Sequence, residues 1–148
     1  MLDLLNAQTL QVADGSNLNW QKAITMAAQP LVNMKIIEPA YVESMISIVN
    51  EKGPYMNIGP QIVLAHARPD NSVHGIGLSL LKTNAAVPFV DAEHPVKLWF
   101  VLTATDSQSH LSVIQQLMGL LTDKNAVERM LAAVSVDELL TILQALEA

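Results

Sequence analysis

The chain has 148 residues, of which eight are Lys or Arg and 14 are Asp or Glu, and 51% of all residues are hydrophobic. This composition is typical of one globular domain and excludes a disordered chain. The sequence contains no cysteine, which excludes a disulfide scaffold, a thiolate zinc site and a cysteine nucleophile. The formal net charge of -6 argues against a nucleic-acid partner, because phosphate backbones are bound by clustered Lys and Arg.

Neither a targeting sequence nor a membrane span is predicted. Residues 1–6 lack the basic region and the apolar run of a signal peptide. The most apolar later stretch, Val96 to Leu102, contains Lys97 and is much shorter than the ~20 residues that cross a bilayer. We therefore expect a cytoplasmic protein with no direct membrane insertion.

The first part of the chain predicts two helices. Asn17 or Asn19 can cap the first helix, because apolar residues then recur at helical spacing. Glu38 and Pro39 begin the second helix, since proline suits a first helical turn, and Gly53 ends it. The apolar stripe of the first helix is expected to face a sheet.

The middle of the chain changes to short apolar runs that are typical of buried strands. These runs are Gln61 to Ala65, Gly77 to Leu81 and Val96 to Leu102. From Asp106 the pattern is helical again, with further helices at Asn125 to Ala133 and after the capping box of residues 135–138. Helices before and after a central set of strands predict a single-domain α/β sandwich, with the sheet flanked by α-helices on both faces.

Without cysteine, nucleophilic or metal chemistry must come from histidines, carboxylates or hydroxyls. His66 directly follows an apolar run and is predicted to emerge at the end of a strand, where ligands bind in open α/β sheets. His110 lies near the start of the helix that follows Asp106. Free backbone N–H groups at that position favour an anion such as a phosphoryl group.

Three further side chains are candidates for contacting the substrate. Arg68 and Asp70 place a cation and an anion within reach of His66, and His74 follows so soon that it can border the same site. His94, directly before a proline, is typical of a surface turn. No His-Glu-x-x-His pair or close pair of histidines at helical spacing occurs, so no metal site is expected.

Two separate segments resemble a known family. The segment Gly53 to Pro69, GPYMNIGPQIVLAHARP, resembles the active-site segment of phosphotransferase-system (PTS) enzyme IIA of the mannitol/fructose class. Its Gly-Pro-Tyr opening, the Arg-Pro after the histidine and the later Gly-Leu-Ser-Leu-Leu are most similar to the ascorbate-specific branch. The segment Thr105 to Leu111, TDSQSHL, resembles the second-histidine motif of the class. Because the resemblance covers nearly the whole chain, residues 1–148 are interpreted as one enzyme IIA domain of this class.

The resemblance implies a phosphocarrier with a central mixed β-sheet, which acts as a phosphotransferase without a cofactor. His66 corresponds to the catalytic histidine that accepts a phosphoryl group from the phosphocarrier protein HPr, and His110 to the second catalytic histidine. The phosphoryl group would then pass to an enzyme IIB component, associated with the membrane component IIC. The branch indicates L-ascorbate or a related sugar as the transported carbohydrate.

The chain departs from the family pattern at three positions. Ala65 stands where the family usually has a proline before the phosphorylated histidine, so the backbone is less constrained there. Asn50 and Pro60 stand where mannitol-type members carry an arginine and a glutamate. Arg68 is our candidate to supply the missing positive charge.

The predicted site also has an apolar rim. This rim beside the site, formed by Ile58, Val73 and Ile76, is expected to dock the partner proteins.

One alternative function is a regulatory domain whose phosphorylation state controls a partner. Another is a non-catalytic module in which His66 lines a small-molecule pocket. A hydrolase with His66 as base has less support, because no nucleophile can be named.

Overall fold

Within residues 2–147 the backbone forms five strands and five helices, with two helices before and three helices after a central run of four strands. The structure is a computed structural model and describes residues 2–147. The strands are β1 (Leu10–Ala13), β2 (Asn57–Gly59), β3 (Gln61–Ala65), β4 (Gly77–Pro88) and β5 (Pro95–Thr103). The helices are α1 (Trp20–Asn33), α2 (Pro39–Lys52), α3 (Ser107–Leu121), α4 (Lys124–Ala132) and α5 (Val136–Glu147), and a 3-10 turn covers Leu2–Leu4.

The five strands form one mixed sheet in the order β1-β4-β5-β3-β2. β1 pairs with β4 and β3 with β5 in parallel, whereas β4 pairs with β5 and β2 with β3 in antiparallel fashion. Because β3 and β5 are parallel neighbours, their carboxyl ends leave the sheet at the same edge. The site described below lies at that edge.

Helices cover both faces of the sheet, as predicted. Trp99 of β5 belongs to the core cluster beneath α1 and α2. Phe100, the next residue, belongs to the cluster beneath α3, α4 and α5. This alternation within one strand is the pleat of a sheet that is buried on both sides, and both side chains are fully buried.

The helix ends agree with the sequence signals. Asn19, rather than Asn17, caps α1, because its Oδ1 accepts a hydrogen bond from the Lys22 amide at 2.8 Å. α2 begins with Pro39 in its first turn and is followed by Gly53, whose φ of 80° favours glycine. Gly53 therefore turns the chain out of α2 towards the segment that carries His66.

The sequence patterns missed two strands and shortened a third. β1 and β2 were not predicted, since they have only four and three residues. β4 continues to Pro88 instead of ending at Leu81, because the polar residues Lys82 and Thr83 are buried within it. A buried lysine does not fit the apolar pattern from which strands are predicted. Its ammonium group is satisfied by a hydrogen bond, because Lys82 Nζ donates to Asn84 Oδ1 at 2.8 Å.

Methionine often fills irregular gaps in a core, and the methionines of this chain differ in how far they do so. Met45 and Met130 are fully buried, whereas Met34 and Met118 are 43% and 37% exposed. The two tryptophans also differ, since Trp99 is fully buried and Trp20 is half-buried. Helical spacing identifies an apolar stripe but does not tell its centre from its edge.

Candidate active site

His66 occupies the first position after β3, at the edge where β3 and β5 end. Its ring is half-buried, and its Nδ1 lies 2.8 Å from the backbone carbonyl oxygen of Leu64. A carbonyl can only accept a hydrogen bond, so Nδ1 carries the ring proton and donates it. The other ring nitrogen, Nε2, then keeps a free lone pair. The backbone thus fixes the tautomer that leaves Nε2 as a nucleophile.

His110 lies in the first turn of α3 and faces His66, as the sequence predicted. The two ring centroids are 5.5 Å apart, with an angle of 42° between the ring planes. Asp106 caps the helix by accepting a hydrogen bond from the Ser109 amide at 2.7 Å, and this fixes the turn that presents His110. The two histidines come from separate elements but form one pair.

The His110 ring has an environment that favours its neutral form. Its Nε2 atom is buried and has no hydrogen-bond partner among residues 2–147. Burial lowers the pKa of the imidazole below 6.5, and the nearby His66 lowers it further. At neutral pH the ring is therefore uncharged, with an unused polar atom beside His66.

The histidine pair opens into a groove of about 920 Å³. One wall is a single face of α2, on which residues recur every three or four positions. That wall consists of Ala40, Glu43, Ser44, Ser47, Ile48, Glu51 and Lys52. The opposite wall consists of Tyr55, His66, Ala67, Arg68, Pro69, Asp70, Ser107 and His110.

Two cations line the groove. One is Arg68, which the sequence analysis placed within reach of His66. The other is Lys52 at the end of α2, which the sequence patterns did not single out. Both residues are exposed, and neither side chain forms an ion pair within residues 2–147. Asn50 and Pro60, which replace two charged residues of mannitol-type members, are absent from the described groove walls. Lys52 and Arg68 are thus the two cations of a groove that is also lined by the carboxylates of Glu43, Glu51 and Asp70.

Asp70 lines the groove but does not pair with Arg68. Its Oδ1 accepts hydrogen bonds from the amide of Ser72, at 2.7 Å, and from the Ser72 hydroxyl. These hydrogen bonds lower the pKa of the carboxyl below its usual value. Asp70 therefore closes the turn after His66. Because its carboxylate is bound to Ser72, Arg68 has no carboxylate partner within the described residues.

The structure does not bring His74 to the histidine pair. Its Nε2 lies 2.7 Å from Glu38 Oε2, and it is absent from the groove walls. The backbone explains this position, because the His74 amide donates to the Ile36 carbonyl at 2.8 Å and holds the loop against the start of α2. The proximity of His74 to His66 in the sequence was misleading. His94 lies in the turn between β4 and β5, with Nδ1 2.7 Å from Asp91 Oδ1.

The apolar rim differs from the predicted one. Val73 is buried, Ile58 packs against the core beneath α3, α4 and α5, and Ile76 is exposed but absent from the groove walls. The exposed apolar side chains in this part of the chain include Tyr55, which lines the groove, and Leu111, which follows His110 in the sequence, and they are 46% and 56% exposed. The Tyr55 ring lies edge-on to His66, with centroids 6.0 Å apart.

Two findings concern metals and membranes. Within residues 2–147, no three His, Asp or Glu side chains cluster in a way that could hold a metal ion. Among the helices of that same region, none is long and apolar enough to cross a membrane.

Comparisons with known proteins identify the class. The family model for the phosphoenolpyruvate-dependent sugar phosphotransferase system, EIIA 2, matches residues 3–146. The chain therefore belongs to this enzyme IIA family, whose members are phosphotransferase phosphocarriers.

Curated relatives cover most of the chain. The mannitol-specific cryptic phosphotransferase enzyme IIA component of Escherichia coli K12 is 31% identical over 125 residues, which are 84% of this chain and 85% of that protein. The ascorbate-specific PTS system EIIA component of Salmonella typhi is 29% identical over 126 residues, which are 84% of this chain and 82% of that protein. The chain is thus about equally similar in sequence to a mannitol-specific and to an ascorbate-specific protein.

Solved structures share the fold. The solution structure of the mannitol-specific cryptic enzyme IIA of Escherichia coli superimposes with a TM-score of 0.86 at 29% identity, covering 95% of each chain. The Escherichia coli complex of mannitol enzyme IIA with phosphorylated enzyme IIB has a TM-score of 0.80 at 24% identity, covering 95% of this chain and 96% of that chain. The mixed sheet with helices on both faces is thus the enzyme IIA fold.

Proposed function

We propose that this chain is the enzyme IIA component of a sugar phosphotransferase system in the cytoplasm, and that His66 carries the phosphoryl group. The observation that carries the proposal is the 2.8 Å hydrogen bond from His66 Nδ1 to the Leu64 carbonyl. It holds the proton on Nδ1 and leaves the lone pair of Nε2 for attack. Membership of the enzyme IIA family supports the same residue, because His66 lies in the segment that resembles the family's active site.

The transfer steps follow from this tautomer. His66 Nε2 attacks the phosphorus of phospho-HPr, a new N–P bond forms, and the donor's bond to phosphorus breaks with its electron pair returning to the HPr group. Nδ1 keeps its proton and its hydrogen bond to Leu64 throughout. In the second step the acceptor group of enzyme IIB attacks phosphorus, and the electron pair of the broken N–P bond returns to Nε2.

Particular side chains of the groove stabilise the charge on the phosphoryl oxygens. Phosphoryl transfer depends mainly on alignment and on stabilising these oxygens. Neutral His110 supplies a hydrogen-bond donor beside His66, and Arg68 and Lys52 supply positive charge. Because the attached phosphoryl group is negative, it raises the proton affinity of His110 relative to the free protein.

The proposed partners are HPr and enzyme IIB, the latter acting together with membrane component IIC. The solved complex of a similarly folded enzyme IIA with phosphorylated enzyme IIB supports the IIB partner. The exposed side chains of Tyr55 and Leu111 flank the histidines and give the partners an apolar contact. We propose L-ascorbate or a related sugar as the carbohydrate, which one group of relatives supports, and mannitol as the competing substrate.

The test is intact-mass analysis after incubation with phosphoenolpyruvate, enzyme I and HPr. We expect one added phosphoryl group on the native chain and none on His66→Ala. His74→Ala is the matched control, because it removes a histidine outside the groove, and it should be phosphorylated normally. Phosphate on His66→Ala, or none on the native chain with active upstream proteins, would contradict the proposal.

A second measurement addresses the carbohydrate. The phosphorylated chain is mixed separately with the purified enzyme IIB of an ascorbate system and of a mannitol system. Loss of the added mass in the ascorbate mixture alone supports L-ascorbate or a related sugar. Loss in the mannitol mixture alone assigns the chain to mannitol transport.

A further inference from the structure

We propose that Tyr41 is a positioning residue that holds the two histidine-bearing segments at a fixed separation. Resting on the proposed function of His66, this inference assigns a role to a residue outside the groove walls. Tyr41 lies in the first turns of α2, is only 1% exposed, and points its hydroxyl at the edge where β3 and β5 end.

The Tyr41 hydroxyl binds the backbone directly after His66. Its oxygen accepts a hydrogen bond from the Ala67 amide at 2.9 Å. Its proton is donated to the Ala67 carbonyl, also at 2.9 Å. One side chain thus satisfies both backbone groups of the residue that follows His66, in a segment that has already left the sheet. The orientation of the His66 ring depends on that segment.

The same hydroxyl also contacts the strand that leads to His110. The Leu102 carbonyl, near the end of β5, lies 3.4 Å from the Tyr41 oxygen and shares the single hydroxyl proton with the Ala67 carbonyl, as the longer arm of a bifurcated hydrogen bond. From there the chain passes through residues 103–106 into α3 and His110. Tyr41 is therefore a link between the two strand ends whose histidine rings lie 5.5 Å apart.

The sequence around His66 explains why such a link matters. Ala65 replaces the proline that usually precedes the histidine, so φ is not fixed by a ring at that position. The Tyr41 hydrogen bonds restrict the backbone on the other side of His66. Burial raises the pKa of Tyr41, so the hydroxyl stays protonated and able to donate at physiological pH.

The test compares Tyr41→Phe with Ser79→Ala. Tyr41→Phe removes only the hydroxyl and keeps the buried ring. Ser79→Ala is the matched control, because its hydroxyl makes a buried 2.6 Å hydrogen bond to the Ala27 carbonyl but joins β4 to α1, away from the groove. Both variants should lose thermal stability, so stability alone does not distinguish a positioning role.

Two readouts do distinguish it. In Tyr41→Phe we expect the ring nitrogen shifts of His66 to move towards a tautomer mixture, and kcat for phosphoryl acceptance to fall about ten- to a hundredfold, with KM for phospho-HPr unchanged. In Ser79→Ala both should stay at the native values. Native ring shifts and kcat in Tyr41→Phe, or equal changes in Ser79→Ala, would overturn the proposal.

A measurement on the native chain needs no variant. The Ala67 amide should exchange with solvent more slowly than the Arg68 amide, which donates to no residue within 2–147. Equal exchange of the two amides would mean that the Tyr41 bond is absent. The ring shifts and the amide exchange require no phosphate, so they test Tyr41 even if His66 fails to accept a phosphoryl group.

Discussion

The strand end that carries His66 and the helix start that carries His110 hold their rings in different ways. His66 Nδ1 is bonded to the Leu64 carbonyl, and the residue after it is bound by Tyr41. His110 is placed by the capped first turn of α3, but its Nε2 has no partner among residues 2–147. One ring is thus fixed by hydrogen bonds, whereas the other is fixed only through its backbone.

This difference matches two different tasks. A nucleophile needs a defined tautomer, and a hydrogen bond to backbone supplies one. A group that stabilises a developing charge needs an unused donor, because a donor already bound to protein must first break that bond. The His110 ring, which lines the groove and forms no hydrogen bond within residues 2–147, is therefore suited to a ligand that arrives during the reaction.

The largest effect that tests this comparison is expected from His110→Ala. The variant should still accept a phosphoryl group on His66, at a rate reduced by about a hundredfold or more, because one preorganised donor is lost. Rapid-quench measurement of transfer from phospho-HPr gives the rate. A native rate would mean that His110 is not the stabilising group, and complete loss of phosphorylation would mean that it is a carrier in its own right.

A smaller effect is expected from Arg68→Ala. Removal of a charged donor beside the phosphoryl oxygens should slow transfer by about tenfold. Arg129→Ala is the matched control, since Arg129 is the other arginine of the chain and lies exposed on α4. The same quench experiment serves both variants. Equal rates for the two would assign the charge to Lys52 instead, which Lys52→Ala then tests.

The smallest effect concerns stability and pH. The pKa of His110 is lowered in the folded chain, chiefly by burial, so near pH 6.5 the unfolded chain binds more protons at this residue. The contribution of His110 to the free energy of unfolding is therefore complete above pH 6.5 and declines as pH falls towards its folded pKa. Urea unfolding of the native chain and His110→Asn at pH 7.5 and 5.5 measures it. The variant should lose less stability on acidification, and an equal loss would contradict the lowered pKa.

The sequence predicted the elements that carry strong patterns. The apolar run before His66 predicted the strand that ends there, and the helical pattern from Asp106 predicted the helix that carries His110. Lys52 and Tyr41 were not identified, because each lies on α2 at a position that looks like an ordinary solvated or core residue. Their roles depend on where α2 packs against the ends of β3 and β5, and periodicity within one helix contains no information on that packing. The prediction that His74 borders the site was wrong for a related reason. Its partner Glu38 is distant in the sequence, so no local pattern indicates this contact.

The length of β2 has a consequence for the proton on His66. The Leu64 amide donates to the Met56 carbonyl, so the Leu64 carbonyl also points towards the β2 side of β3. β2 begins only at Asn57, and the Met56 amide, which a continued ladder would place against that carbonyl, donates to no residue within 2–147, so the carbonyl is left to the imidazole. A homologue whose β2 extended two residues further back would draw the carbonyl into its ladder. Its histidine would then populate both neutral tautomers, of which only one has an unprotonated Nε2.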